Sequence, residues 1–397
     1  MWKNRDYLLL WSGQAISSFG SAASHIVLPL LILDLTHSPA QAGFVGAIAT
    51  VPYVALSLFA GVYIDRLNRK NLMKLCEIAR AIISASIFIA ILFHHISITQ
   101  IYVAALLEGL FFVFFDIAEI ASLRQIVGKG NISAASSQNF ATDGTAQLLG
   151  PFIGTVLYQI KQFVPFLLDA VSYVISFFTL AAIKTEFQEE RDTEEKTQLR
   201  KEVTEGISWL WHNKVVRFMA LLNAGVSFIL ADLILIIIIL SKEKNATPAQ
   251  IGIIVSISAI GSILGSLFGN IAKKRFKPGQ VVIAACWIMA LTWPLYLIAP
   301  NFIFIGIITA VIVFVNCVWA IVQISYRLSL IPDELQGRVN SVFRFMAYSV
   351  APLGMAITGI MLQAFGAKIT IAIFFIGLMT CALIASLSKE LKNTRIT

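Results

Sequence analysis

Charge is what this chain has least of. Acids and bases make up 13% of its 397 residues, where soluble domains carry roughly a quarter. So few charged side chains cannot cover a water-facing surface, which excludes a soluble enzyme. The formal net charge of +8 does not point to nucleic acid either, because the bases lie in short loops between apolar runs. Cysteine is scarce too: Cys76, Cys286, Cys317 and Cys381 are far apart, and all fall in apolar segments. That spacing fits neither a disulfide framework nor a metal site and leaves them as small packed side chains. A nucleophile elbow, a metal-ligand cluster and a G-x-x-x-x-G-K phosphate loop ending in Ser or Thr are also missing. No cofactor, metal or ATP is expected, and the chain does not read as an enzyme.

Apolar residues, in contrast, reach 58%, and the mean hydropathy is +0.81. A membrane span needs about 20 mostly apolar residues. Runs of suitable length occupy 8–33, 40–64, 75–94, 98–121, 133–158, 164–183, 215–240, 249–272, 280–299, 302–325, 339–363 and 367–387. Tyr7 to Leu33 carries no Asp, Glu, Lys or Arg. It is too long for a signal-peptide core and lacks a small-residue cleavage site, so a retained helix is expected.

The bases divide between two sides. Twenty-four Lys and Arg fall in the two termini and alternate loops, and only Lys161, Lys242, Lys244 and Lys368 fall in the others. Arg80 and Arg344 lie inside spans. The positive-inside rule then puts both termini in the cytoplasm and makes the number of spans even, with twelve fitting the lengths. The one long polar stretch, 184–213, separates residues 1–183 from 214–397. It reads as a cytoplasmic linker between two six-helix bundles. Leu199, Val203, Ile207, Leu210 and Trp211 recur at helical spacing in it, which predicts an amphipathic helix on the inner membrane surface. A regulatory role for the linker is the alternative to a plain connector.

The halves echo one another. Ser122-Leu123-Arg124-Gln125 follows the fourth span and Ser325-Tyr326-Arg327-Leu328 the tenth, while Gly150-Pro151 matches Ala351-Pro352. After the second span comes Gly61-Val62-Tyr63-Ile64-Asp65-Arg66-Leu67-Asn68-Arg69-Lys70; its later counterpart, Gly269 to Arg275, keeps the glycine and the bases but lacks the acid.

The spacing G-x-x-x-D-R-x-x-R-K resembles the loop between the second and third helices of major facilitator superfamily transporters. Further segments are similar to the group that contains macrolide efflux proteins and the enterobactin exporter. These are Leu28-Pro29-Leu30, Leu35 to Ser38, Phe114 to Glu119, Leu168 to Tyr173 and Gly337-Arg338-Val339-Asn340-Ser341. The resemblance implies an all-α membrane protein, twelve transmembrane helices in two six-helix bundles related by pseudo-two-fold symmetry. It also implies that Gly61, Asp65, Arg66, Arg69 and Arg338 form a conformational latch, with Asp65 docked at the start of the eleventh helix. A charged turn that only fixes topology is the plainer reading of the same loop. Ala146 to Thr155 resembles the antiporter motif of drug exporters, with Ala and Thr replacing its outermost glycines. In it Gly150, Pro151 and Gly154 are expected to bend the helix and let neighbours approach closely; a packing kink without directional meaning is the alternative. Span four reads Ala105-Leu106-Leu107-Glu108-Gly109, so the arginine that many proton-coupled antiporters carry there has no counterpart.

Acids inside spans are expensive and face a cavity or a partner. Glu77 and Arg80, three residues apart, read as a structural ion pair. Glu119 near Arg124, and Asp169 at the outer end of span six, also read as structural. Glu108 and Asp116, about 80° apart around span four, and Asp232 in span seven fall on helices that line the cavity in this superfamily; Asp143 in span five is less well placed. Burial disfavours a charged carboxylate, so any of these four could exchange protons; neutralisation by Arg344 or by polar neighbours is the alternative. His25, Asn223 and Asn316 are candidate cavity contacts, or packed polar residues. The expected function is proton-coupled export of a bulky amphipathic compound, a macrolide-like drug or a siderophore, by alternating access. A lipid or nutrient transporter of the same superfamily and a non-transporting receptor on the same fold are the alternatives. The expected partners are the bilayer, a small amphipathic substrate and protons, with no nucleic acid. The protein is expected as a monomer in a bacterial inner membrane.

Overall fold

A computed structural model describes residues 4–56, 67–187 and 199–392 of the chain. Gly61, Asp65 and Arg66 lie outside the described residues. Asparagine starts several of the helices. Asn4 opens α1 (Arg5–Thr36), its side chain accepting from the Asp6 and Tyr7 amides. Asn68, Asn213 and Asn301 do the same for α3 (Arg69–Leu92), α8 (Lys214–Leu230) and α13 (Phe302–Leu330). Each satisfies amide groups that the first turn leaves without a helical partner. His37 ends α1 in the left-handed region, φ 52°, with its N–H on the Leu33 carbonyl.

The first compact unit comprises Met1–Thr193 and Thr247–Ser256. It holds α1, α2 (Pro39–Leu56), α3, α4 (Ile98–Val127), α5 (Ile132–Ile160) and α6 (Val164–Ala182). Its pairings follow from small and polar residues at matching heights. Tyr7 meets Gln138, Trp11 meets Thr142, Ser18 meets Asp143 and Asp34 meets Tyr158, so α1 and α5 run parallel. Ser21 meets Tyr173 and Ser24 meets Asp169, so α1 and α6 run antiparallel. A core of Tyr7, Leu10, Met73, Val113, Phe115 and Leu180 fills the end nearest the N-terminus.

The second unit comprises Glu194–Ala246 and Ile257–Thr397. It contains α7 (Leu199–His212), α8, α9 (Leu233–Glu243), most of α10 (Pro248–Arg275), α11 (Pro278–Thr292), α12 (Leu295–Ile298), α13, α14 (Gln336–Tyr348), α15 (Ala351–Leu387) and α16 (Lys389–Lys392). Trp293, Trp319 and Tyr296 are buried in its interior. Trp293 packs edge-on against Tyr296, ring centroids 5.6 Å apart, and the Tyr296 hydroxyl bonds Thr309 at 2.8 Å.

Ten stretches among the described residues are long and apolar enough to cross a membrane. The helix α5 is as long as the others but carries too many polar residues to be counted with them. The last stretch, Asp333–Leu387, has the length of two crossings and breaks at Gly366, φ 73°. That backbone geometry is open to glycine and strained for other residues. Together these account for the twelve expected crossings. Where a single span over 215–240 is expected, α8 and α9 are separated at Ala231-Asp232. Where a bend is expected at Gly150-Pro151, α5 continues through Pro151 as one helix.

Candidate functional site

The first unit buries a polar layer that none of its helices could satisfy alone. Arg80 of α3 donates through Nε to Glu108 Oε1 of α4 at 2.7 Å, with side-chain exposures of 5% and 16%. Tyr173 of α6 donates its hydroxyl to the same Oε1 at 2.7 Å, and Ser21 of α1 lies 2.7 Å from that hydroxyl. The Arg80 guanidinium also stacks over the Tyr173 ring, 4.2 Å from its centroid. Cation, anion and aromatic face therefore form one closed arrangement, the kind in which a buried charge is tolerated.

The sequence pairs Glu77 with Arg80; the two remain within electrostatic reach, but their direct bonds go to other helices. Glu77 accepts from Ser176 of α6 at 2.7 Å, while Arg80 reaches across to Glu108. Helical spacing places the two on one face, but the carboxylate on the next helix offers Arg80 an in-line partner with an aromatic wall. Arg80 likewise supplies Glu108 with a base where the sequence offers Arg344. Asp169 is buried and takes Ser24 and Ser84 hydroxyls on one oxygen, each at 2.8 Å.

The other expected acids are more scattered. Asp143 is exposed on α5 and bonded to Ser18 at 3.0 Å. Asp116 is half-buried on α4, and Glu119 accepts from Asn139 of α5 at 3.0 Å. His25 lies on accessible surface within electrostatic reach of Glu108 and Arg80. Gly150 and Gly154 mark where α5 closes on α1: a Cβ on Gly154 would fall 2.1 Å from the Ala23 carbonyl oxygen, and one on Gly150 2.5 Å from the Ala22 methyl.

A buried ion pair with hydroxyl-bound acids beside it, within long apolar helices, belongs to a protein that works inside a membrane. The sequence pattern of the Major Facilitator Superfamily matches residues 10–234 and 220–395. The chain belongs to that superfamily. It is 20% identical to the multidrug efflux pump Tap of Mycolicibacterium fortuitum, over 98% of this chain and 97% of that protein. Macrolide efflux protein A of Streptococcus pyogenes is 21% identical, over 92% and 91%. Among solved structures, an inward-facing bacterial homologue of the lysosomal transporter Spinster has a TM-score of 0.79 at 13% identity, covering 99% of this chain and 98% of that one. The nucleoside transporter NupG gives 0.79 at 12%, covering 98% and 100%. The fold is that of the superfamily, and the protein is a membrane transporter rather than an enzyme.

Among the described residues of this transporter's second unit, Arg327 is the buried base. It donates to Asn340 at 2.9 Å and sits 3.7 Å over the Phe343 ring. The Gly337 to Ser341 segment is thus tied to α13 through Asn340. Arg338 of the same segment donates to Glu205 of α7 at 2.5 Å. A Cβ on Gly206 would lie 2.8 Å from the Arg338 carbonyl oxygen, so α7 is seated directly on α14. This modifies the expectation of a helix lying on the membrane: Leu210 is buried, and only Ile207 and Trp211 of the described apolar positions stay exposed. Arg69, expected in the latch, is buried and donates to the Ala121 and Phe187 carbonyls at 3.1 and 3.3 Å. Asp232 caps α9, accepting from the Leu235 amide at 3.3 Å. Asn223 is half-buried and Asn316 exposed, on α8 and α13. Arg80, Tyr173, Ser24 and Ser84 are the members that reading the sequence did not assign to a site; the one signal for them was a base and hydroxyls set in apolar runs.

Proposed function

We propose that this transporter exports a bulky amphipathic small molecule, macrolide-like or siderophore-like, in exchange for protons by alternating access. Its full-length similarity to two efflux proteins supports the direction and the class of cargo. The proton reading is carried by one observation: Glu77, Glu108 and Asp169 share the first unit's interior, and Arg80 is bonded to just one of them. Acids buried in excess of bases are the groups through which a proton gradient does work. The loop charges support an inner-membrane location with both termini cytoplasmic. We assign 1–183 and 214–397 to the two bundles and 184–213 to the linker, and Asp65 to the latch. Asp65→Asn should then abolish transport in a protein that still inserts; undiminished transport would remove the latch.

The test of export is a susceptibility panel of amphipathic drugs in a pump-depleted bacterial host. Expression should raise resistance to some compounds, and a proton uncoupler should erase the gain. No change across the panel favours lipid or nutrient transport, whereas binding without flux in proteoliposomes favours a receptor.

A further inference from the structure

We infer that Asp169, not one of the four acids singled out from the sequence, holds the exchangeable proton, in a site completed by Ser24 and Ser84. The site is closed on three sides. Asp169 lies in the second turn of α6 and is 2% exposed; Ser24 of α1 and Ser84 of α3 are 5% and 4% exposed. Both hydroxyls donate to the same oxygen, Oδ2, at 2.8 Å. The other oxygen, Oδ1, is buried with no hydrogen-bond partner among the described residues.

Glu77 Oε2 and Glu108 Oε2 are likewise buried without a hydrogen-bond partner, but Glu108 is paired with Arg80 and Glu77 takes a single hydroxyl. Of the three, Asp169 alone combines two hydroxyls on one oxygen with no bonded base, and that combination fits a carboxylic acid. An ionised carboxylate spreads its charge over two oxygens, and both want donors. A neutral acid has one carbonyl oxygen, whose two lone pairs two hydroxyls fill, and carries its hydrogen on the other oxygen. Arg80 and Glu108 both act on Asp169 through space, with opposite signs, and among the described residues no base on the surrounding helices is bonded to it. Arg80 of α3 is engaged by Glu108 of α4 and by Ser21. Glu77 of α3 is bonded to Ser176, Tyr173 of α6 to Glu108, and Asp143 of α5 to Ser18. His25 of α1 follows Ser24 in the chain and is exposed. A buried carboxylate with no base bonded to it is costly, and holding a proton removes the charge. The step is a proton transfer alone: the Oδ1–H bond breaks, its electron pair stays on the carboxylate, and the proton passes to water.

The proposal rests on the export reading only for what the proton is used for. It is therefore tested without cargo, by infrared difference spectra of the full-length protein in lipid, stepped in pH. A protonated carboxyl gives a C=O stretch that the ionised form lacks. One component of that band should be lost in Asp169→Asn and kept in Asp116→Asn and Asp232→Asn. Ser24→Ala and Ser84→Ala should keep it and move it to higher frequency, since each removes a donor from the carbonyl oxygen; these variants serve if Asp169→Asn does not fold. A spectrum unchanged in Asp169→Asn, Ser24→Ala and Ser84→Ala overturns the assignment. So does a component that sodium chloride removes at fixed pH, which would give the site to a metal cation. A protein that shows the band and exports nothing keeps this site and loses the export reading; an exporter without it does the reverse.

Discussion

Arg80 and Glu108 are joined at 2.7 Å across two neighbouring helices, and the Tyr173 hydroxyl closes on the same carboxylate oxygen. The pair is nearly dry, so its two members depend on each other more than on solvent. Removing one leaves the other charged and buried, which costs about 3–5 kcal/mol; removing both together is close to neutral.

A double-mutant cycle measures this. Glu108→Gln and Arg80→Met should each lower the unfolding temperature of the purified transporter markedly. The combined variant should be more stable than either. Losses that simply add would mean that the two side chains act independently.

The glycines of α5 give a second expectation. A Cβ on Gly154 would fall 2.1 Å from a backbone oxygen of α1, and neither chain can yield without shifting a helix. Gly154→Ala should therefore destabilise by about 1–3 kcal/mol, as overpacking does. Gly144→Ala, ten residues earlier, meets nothing within 4 Å and should be near neutral. Equal behaviour of the two in thermal unfolding would refute the close α1–α5 contact.

Much of this fold is legible in the sequence because lipid leaves few choices. Apolar runs about 20 residues long become helices, and Asn68, Asn213 and Asn301 mark where helices start. Local signals fail where a partner comes from elsewhere in the chain. Glu77 and Arg80 sit at helical spacing, but the partner of Arg80 lies 28 residues away on α4. The hydroxyls on Asp169 come from positions 145 and 85 residues away. Only the packing of α1, α3 and α6 brings them together, and a serine in an apolar run does not announce which acid it serves. The break in span seven was readable in principle, since Asp is a strong helix-starting residue; an aliphatic run on either side hid it.

The seat of α7 is a third case. Arg338 and Glu205 are 36% and 46% exposed, so their ion pair is screened and contributes about 0–1 kcal/mol. Glu205→Ala should leave stability almost unchanged. Gly206→Val should do more, because its side chain would push against the α14 backbone. Limited proteolysis between residues 184 and 213 should be faster in Gly206→Val and unaltered in Glu205→Ala; the opposite order would mean that charge rather than fit seats α7.

Asp232 separates a structural from a transport role within one residue. It is buried and caps α9 through the Leu235 amide, at the point where α8 has ended. Asn caps a helix as well as Asp does, whereas Ala loses the cap at about 0.5–2 kcal/mol. Asp232→Asn should therefore fold and melt like the native protein, and Asp232→Ala should melt at a lower temperature. If capping is the residue's whole contribution, Asp232→Asn also transports normally, which is the result expected when Asp169 holds the proton. A well-folded Asp232→Asn protein with no proton-linked transport would instead place the coupling acid in the second unit. Asn and Ala variants that melt alike would show that the Leu235 contact contributes nothing to the break in the span.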